Sequence, residues 1–530
     1  MQNYQTPGVY VEELSKLPPS VAGVATAIPA FIGITEKCPE EKQGYPVKIV
    51  SLLDFESKFG GAKKLSVSQD GKLDGAQFVL YDSIRLFYDN GGGVCYVVSV
   101  AQYGNINKVE MSVSIVPEGL ENPEEIEVAE EQEIPEDIEV TEEQETSEDI
   151  EVTEEQETPE GIEAAKEQGT PEIPVPSIGI NAETFTKYLD NVAKVDEITM
   201  VLAPDAATCL NATSLGNVHK KLLEHCQNLK DRVAILDVKC NGGIDKDMED
   251  FRKESGINGL SYGAAYYPDL QTSYSKSIDF LEMYKNPKVK ELFKNDTSDI
   301  TNLQKETTDE DTKSYLLKKL KAKEGYATLE QQMLAKASVI PPSGAIAGIY
   351  CANDARKGVW QAPANMSVSS VSDVAVRISD NEQMSINVDA NSGKSVNAIR
   401  PFQGKGILVW GARTLDGFSN EWRYIPVRRL FNYVEESVQK STAWAVFQPN
   451  DANTWTNVRC QIENFLSNLW RDGALAGATP EQAFYVNVGL NNTMDANDIL
   501  EGRMIVEIGL AAVRPAEFII LQFSHKLQES

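Results

Sequence analysis

The sequence predicts a multidomain α/β protein: an α+β body, an α/β domain inserted into it, and an extended arm at each end. Three observations predict it. Between residues 177 and 337, apolar strand-like runs alternate with helical stretches, the pattern of parallel strands joined by crossover helices. From residue 402 onward a strongly amphipathic helix is set among strand-like runs. At the ends, Val9, Tyr10 and Val11 are strand formers, and Phe518-Ile-Ile-Leu-Gln-Phe523 is an apolar strand with no sequence neighbour to pair with.

Taken in order, residues 1–20 form the N-terminal arm, where Leu17-Pro-Pro19 bars a helix. Residues 21–116 are the first part of the body. Ala30-Phe-Ile-Gly-Ile-Thr35 reads as a buried strand, and Leu52–Phe59 as a short helix closed by Gly60-Gly61. Gln77–Asp89 reads as a longer helix, with Phe78, Tyr81, Ile84, Leu86 and Phe87 near its apolar side. Asn90-Gly-Gly-Gly93 turns the chain into the strand Val94–Val100, and Ser112–Val116 closes the piece. Residues 117–176 hold an acidic repeat: from Glu124 to Pro171 a twelve-residue unit recurs four times, keyed by Ile126, Ile138, Ile150 and Ile162. Dense Glu, periodic Pro and few apolar groups predict disorder there, or weak helix between prolines.

Residues 177–337 are the inserted α/β domain. Helices are predicted at Phe185–Val192 and Asn217–Asn228, and strands at Ile198–Ala203, Val233–Val238 and Gly263–Pro268. Lys276–Leu334 is charged and mainly helical, with a loop around Asp296 to Asp311. Residues 338–401 return to the body. Ser343-Gly-Ala-Ile-Ala-Gly348 leads into a helix whose small residues permit close backbone approach, and Trp360–Asn365 is an extended loop. Val371–Arg377 and Gln383–Val388 are short and alternating, a strand pattern.

Residues 402–514 are the C-terminal body, running through a strand at Gly406–Arg413 and a helix at Arg428–Ser437. In the amphipathic segment after them, Trp455, Val458, Ile462, Phe465, Leu466, Leu469 and Trp470 share one helical face. Asn457, Arg459, Gln461, Asn464, Asn468 and Arg471 take the other, and Gly473 is placed to close the helix. A strand at Arg503–Leu510 follows. Residues 515–530 are the C-terminal arm, with its strand at Glu517–Ser524.

Composition excludes several function classes. The net charge of −31 argues against nucleic-acid binding, which needs basic clusters. The 48-residue repeat carries −20 of that, leaving −11 on the other 482 residues. No run of 18 apolar residues exists, so no membrane span is expected. Met-Gln-Asn-Tyr-Gln at the start has neither the basic patch nor the apolar core of a secretion signal. The seven scattered cysteines read as reduced, buried small hydrophobes.

No catalytic, cofactor or metal site is expected. Asp205, Asp237 and Asp269, at the ends of predicted strands, mimic an active site at the carboxyl edge of a parallel sheet. No nucleophile stands beside a base, however. His219 and His225 are six apart on one helix, the wrong spacing for metal ligands on one face. Ser392-Gly-Lys-Ser395 resembles the end of a phosphate loop, but Val388 stands where its first glycine belongs. Asp354 and Arg356 read as a structural ion pair or turn.

Several stretches, in order, resemble the contractile tail sheath family of phages, phage-tail-like bacteriocins and extracellular injection systems. They are Thr6-Pro-Gly-Val-Tyr-Val-Glu-Glu13, Asn90-Gly-Gly-Gly93, Ile340-Pro-Pro-Ser-Gly-Ala-Ile-Ala-Gly348 and Lys357-Gly-Val-Trp-Gln-Ala-Pro-Ala-Asn365. Further on come Val409-Trp-Gly-Ala-Arg-Thr-Leu415, Phe447-Gln-Pro-Asn450, Leu469-Trp-Arg-Asp-Gly-Ala-Leu-Ala-Gly477 and Arg514-Pro-Ala-Glu-Phe518.

The resemblance implies a sheath-subunit fold that polymerises as six-fold rings around an inner tube protein, between baseplate and terminal cap proteins, with no nucleic-acid partner and no membrane insertion. It implies assembly in a bacterial cytoplasm as part of a phage tail or tail-like particle. By the same resemblance the repeat faces outward, 402–514 lies on the inner-tube side with Arg459 and Arg471 as tube-facing candidates, and the terminal arms pair with neighbouring subunits. The arm residues concerned are Val9, Tyr10 and Val11 at one end and Phe518, Ile519, Ile520, Leu521 and Phe523 at the other. Two readings from other classes stand beside it: an α/β hydrolase-like enzyme using the Asp-ended strands, and a surface adhesion module using the repeat.

Overall fold

The computed structural model describes residues 21–40, 42–68, 71–106, 179–305 and 309–520. The chain divides into two units, Met1–Met111 with Ser177–Ser530, and Ser112–Pro176; all described residues lie in the first. The N-terminal arm, the closing stretch Ser112–Val116, the acidic repeat and the last ten residues fall outside the described residues.

A nine-stranded sheet runs through the unit. In spatial order its strands are Met366–Ser367, Gly406–Val409, Val396–Phe402, Gly263–Tyr267, Val233–Asp237, Met200–Leu202, Pro29–Thr35, Cys95–Gln102 and Val47–Ile49. The six from Val396–Phe402 to Cys95–Gln102 are parallel, and antiparallel strands close both edges. Parallel strands covered on both faces need continuous apolar sequence. Pro29–Thr35, Val233–Asp237 and Gly263–Tyr267 accordingly have every residue buried.

This topology corrects the predicted domain plan. The strands of 177–337 are not a separate inserted domain: Met200–Leu202 pairs with Pro29–Thr35, and Gly263–Tyr267 pairs with Val396–Phe402. The buried runs from both sides of the supposed boundary need cover on two faces, and one shared sheet provides it. Only the later part of that stretch builds a core of its own. Phe280, Met283, Val289, Phe293, Leu316, Leu320 and Tyr326, from helices between Phe280 and Ala337, pack together with Val67 of the Ser66–Val67/Leu73–Asp74 hairpin.

Local predictions are corrected in four further places. The helix expected at Phe185–Val192 is two short ones, Ala182–Thr186 and Leu189–Ala193. The loop expected around Asp296 to Asp311 contains the helix Thr297–Gln304. Gln383–Val388, read as alternating, belongs to the helix Asp380–Asn387; Ser379 and Glu382 form its capping box, a local signal stronger than four residues of alternation. Glu517–Ile520 is not in a strand, because nothing in the described chain pairs with it.

Two helices cover one face of the sheet, Leu80–Asp89 and Ser343–Lys357, and they meet backbone to backbone. A Cβ at Gly344 would lie 2.4 Å from the Ser83 carbonyl oxygen, and one at Gly348 2.4 Å from that of Phe87. The small-residue run thus does what the sequence reading expected. The start of each helix is also held by a carboxylate from at or just past a strand end. Asp205 Oδ1 accepts from the Val79 and Leu80 N–H groups at 2.7 and 2.9 Å, and Oδ2 from the Ile34 N–H at 2.7 Å. Asp237 takes the Ser343 N–H on Oδ1 at 2.8 Å and lies 2.6 Å from the Ser343 hydroxyl through Oδ2.

Candidate assembly interface

Beyond the sheet, the C-terminal residues form a second cluster of apolar side chains. The helices Ile425–Ser441 and Ala452–Arg471 pack with an antiparallel hairpin of Phe484–Val488 and Val506–Leu510. Val434, Val458, Ile462, Phe465, Leu466, Leu469 and Val486 form its interior. Asp451 caps the second helix, accepting from the Asn453 and Thr454 N–H groups at 3.0 Å, and Gly473 follows its end at φ +85°. The apolar face is as the periodicity predicts, with Trp455 and Trp470 half-buried at its margin. Gln461, placed on the polar face, is instead buried. It accepts from Trp444 Nε1 at 2.8 Å and donates to the Ser441 carbonyl at 3.1 Å, tying the two helices together.

The outer face of Ala452–Arg471 carries Asn457, Arg459, Cys460, Asn464, Asn468 and Arg471, all exposed. Arg459 lies 3.9 Å from Glu463, and Arg471 has no ion pair among the described residues. In the Phe447-Gln-Pro-Asn450 loop, Phe447 is fully exposed at φ +65°, and Asn450 holds the loop by accepting from Trp455 Nε1 at 2.6 Å and donating to the Arg503 carbonyl at 2.9 Å.

The described chain begins against the helix Ile425–Ser441 and ends beside Tyr424, the residue just before it. At the start, Val21 is buried in the C-terminal cluster. The Ala22 and Val24 N–H groups donate to Ser441 and Ser437 at 3.1 and 3.2 Å, and Arg429 donates to the Thr26 carbonyl at 2.8 Å. Arg429 also pairs with Asp354 at 2.6 Å, both side chains buried. This corrects the sequence reading of Asp354 with Arg356, whose guanidinium turns back to the Ala352 carbonyl. At the end, the Val513 N–H reaches the Ala474 carbonyl at 3.3 Å, and Glu517 meets Arg413, Tyr424 and Asn387. Phe518, Ile519 and Ile520 then stand 73, 80 and 81% exposed. Val9, Tyr10, Val11, Leu521 and Phe523 lie outside the described residues. Arg413 and Glu517 both stand in the quoted motifs, but no periodicity links residues 104 apart.

The residues that mimic chemistry are accounted for structurally. His219 stacks edge-on against Phe251, and burial pushes its pKa down to about 3. Burial, helped by Arg232, pushes His225 down to about 4. Burial pushes Asp205 and Asp237 up to about 7 and Asp269 up to about 8. Lys394 of Ser392-Gly-Lys-Ser395 is buried, donating to the Ser255 hydroxyl at 3.1 Å and to the Arg252 carbonyl, so it does not face a phosphate. All seven thiols are free; Cys95, Cys209 and Cys226 are buried, Cys38, Cys240 and Cys351 half-buried. Cys460 is exposed on the outer helix face, against the expectation of burial. Among the described residues no group of acidic, His and Cys side chains could hold a metal, and no helix is long and apolar enough to cross a membrane.

Residues 419–526, which include both helices, the hairpin and Glu517, match the phage tail sheath C-terminal domain. The tail sheath protein of Vibrio phage KVP40 is 26% identical over 133 residues, and that of Enterobacteria phage T4 24% identical over 127. Each match takes 24% of this chain and 19% of the relative, so it spans about a fifth of the curated relatives' length. Solved structures match along the whole chain. The sheath complex of an extracellular contractile injection system, PVC, in its contracted state is 25% identical, covers 99% of both chains and has a TM-score of 0.58. The contracted helical sheath of the anti-feeding prophage is 26% identical, covers 99% of this chain and 100% of that one, and has a TM-score of 0.59. A chain of that particle's baseplate structure is 25% identical over 99% and 100%, with a TM-score of 0.57. Domain, sequence relatives and full-length fold agree: the chain is similar to the sheath proteins of contractile tails and contractile injection systems.

Proposed function

We propose that this chain is the repeating subunit of a contractile sheath. Copies stack as six-fold rings around an inner tube, from a baseplate to a terminal cap, in an extended metastable state. Release at the baseplate lets the rings repack, and the free-energy difference between the two packings drives the tube through a target envelope. The subunit hydrolyses nothing, and the particle assembles in a bacterial cytoplasm. The observation that carries this reading is the likeness to contracted sheath structures over 99% of the chain.

Two regions take specific roles. The arms, 1–20 and 515–530, add strands to neighbouring copies, Val9 to Val11 from one end and Phe518 to Phe523 from the other. The exposure of Phe518, Ile519 and Ile520 supports this, because an uncovered apolar segment is an aggregation hazard unless a partner covers it. The outer face of Ala452–Arg471, with Arg459 and Arg471, meets the tube. Electron microscopy of the expressed protein tests the whole reading. The full chain forms hollow cylinders, while chains lacking Met1–Leu17 or the residues after Ala516 stay folded but form no continuous sheath. Dispersed particles from the full chain in the presence of tube protein would contradict the function; normal cylinders from both truncations would contradict the role of the arms.

A further inference from the structure

The C-terminal tail leaves the body at a built clamp. Arg413 Nε lies 2.9 and 3.1 Å from the two Glu517 oxygens, and Nη2 lies 2.6 Å from Oε2. The Tyr424 hydroxyl donates to Oε2 and Asn387 Nδ2 to Oε1, each at 3.2 Å. Five donor contacts from three side chains thus converge on one carboxylate, the geometry in which charge-assisted bonds are strongest and most directional.

The clamp is fixed to the large sheet. The Arg413 side chain is only 6% exposed. Its N–H donates to Asn397 Oδ1 at 2.7 Å and its carbonyl accepts from Asn397 Nδ2 at 2.8 Å. Asn397 Nδ2 also donates to the Ala265 carbonyl of the neighbouring strand at 3.1 Å. Tyr424 pairs with Arg413 in an isolated bridge and precedes the helix Ile425–Ser441, and Asn387 ends the helix Asp380–Asn387. Glu517 itself sits past the last backbone bond to the C-terminal cluster, at Val513, and just before three exposed apolar residues. A solvated tail would have no reason to fill this site. Without Glu517, a buried guanidinium would lose its one ion partner among the described residues.

We propose that Glu517 is the positioning residue of the C-terminal arm: it fixes where Phe518 and its successors leave the subunit, so that their strand reaches the next copy in one register. This rests on the strand-addition reading above. The pivot of the arm then lies between Glu517 and Phe518, not at Pro515, where a proline alone would place it. A shifted exit point of even one residue would turn the arm's apolar side chains to the wrong face of the receiving sheet.

The test uses the full chain. Glu517→Gln keeps the shape and removes the charge; Arg413→Lys keeps the charge and removes the planar fork. Both variants are expected to fold as monomers, Glu517→Gln with a lowered thermal midpoint, and to raise the concentration needed for cylinder formation about tenfold, more than the loss of monomer stability accounts for. The chain ending at Ala516 serves as the reference. If it forms normal cylinders, the strand-addition reading itself fails. If it forms none while Glu517→Gln assembles at the wild-type concentration, strand addition stands and the clamp proposal is overturned. A rise in that concentration accompanied by an equal loss of monomer stability in both variants would also overturn it, since the pair would then act through the fold. Recovery of cylinders in the double variant Arg413→Glu, Glu517→Arg would support it directly.

Discussion

Two buried carboxylates at or just past strand ends look alike in sequence and differ in what they accept. Asp237 faces one N–H and one hydroxyl of Ser343. Protonated, it donates to the hydroxyl and still accepts the N–H, which suits its pKa of about 7, raised chiefly by burial. The folded value lies above that of an unfolded Asp, about 3.9. The stability this group contributes is therefore fully present below about pH 4 and is lost as pH rises through about 7. Asn reproduces both contacts without titrating. Asp237→Asn is expected to fold normally and to hold its stability from pH 5 to 8 while the wild type declines; urea denaturation at the two pH values measures it. Asp205 faces three N–H groups and no acceptor, so an amide NH2 would point at a donor. Asp205→Asn is expected to cost about 1–3 kcal/mol in the same assay at pH 8, where the wild-type carboxylate is ionised. Equal costs for the two variants would contradict this account.

At the scale of elements, close backbone packing decides most. Gly348 faces the Phe87 carbonyl with no room for a methyl group, and the obstacle is backbone, not a side chain that can turn aside. Gly348→Ala should destabilise the monomer by about 1–3 kcal/mol, read from its denaturation midpoint. That contact was legible from the run of small residues, and the helix Ala452–Arg471 from its apolar spacing, because both depend on neighbours within a turn or two. The shared sheet was not legible: nothing local in Met200–Leu202 tells that its partner is Pro29–Thr35, 171 residues away at Pro29↔Met200. Gln461 was misplaced for a related reason, since a long polar side chain on the rim of a helix is buried when another helix supplies its hydrogen bonds. Arg459 and Arg471 remain on the outer face, where the periodicity puts them. Replacing both with Glu should weaken co-sedimentation with tube protein, more at low salt than at high, because exposed charges are screened over about 10 Å at 0.1 M. Tube binding unchanged at both salts would move the contact off this face.

At the scale of the whole molecule, the charge is unevenly placed. Residues 124–171 carry −20 of the net −31, while among the described residues the strands of the nine-stranded sheet all lie in 29–102 and 200–409. A polymer of such subunits brings like charges together, and that repulsion falls as salt screens it. Two consequences follow from joining Asn122 directly to Glu172. The shortened chain should keep the wild-type denaturation midpoint, because no residue of the described cores is lost. It should also assemble at lower salt than the full chain, because each added copy brings −11 rather than −31. Light scattering during assembly, at about 0.02 and 0.2 M salt on either side of the 0.1 M screening length, measures the second effect. The gap between the two chains should be wide at low salt and close at high salt. An equal gap at both salts would mean that the segment acts by contact and not by charge. Loss of all cylinders in the shortened chain, with its monomer still folded, would mean that the repeat itself bridges copies.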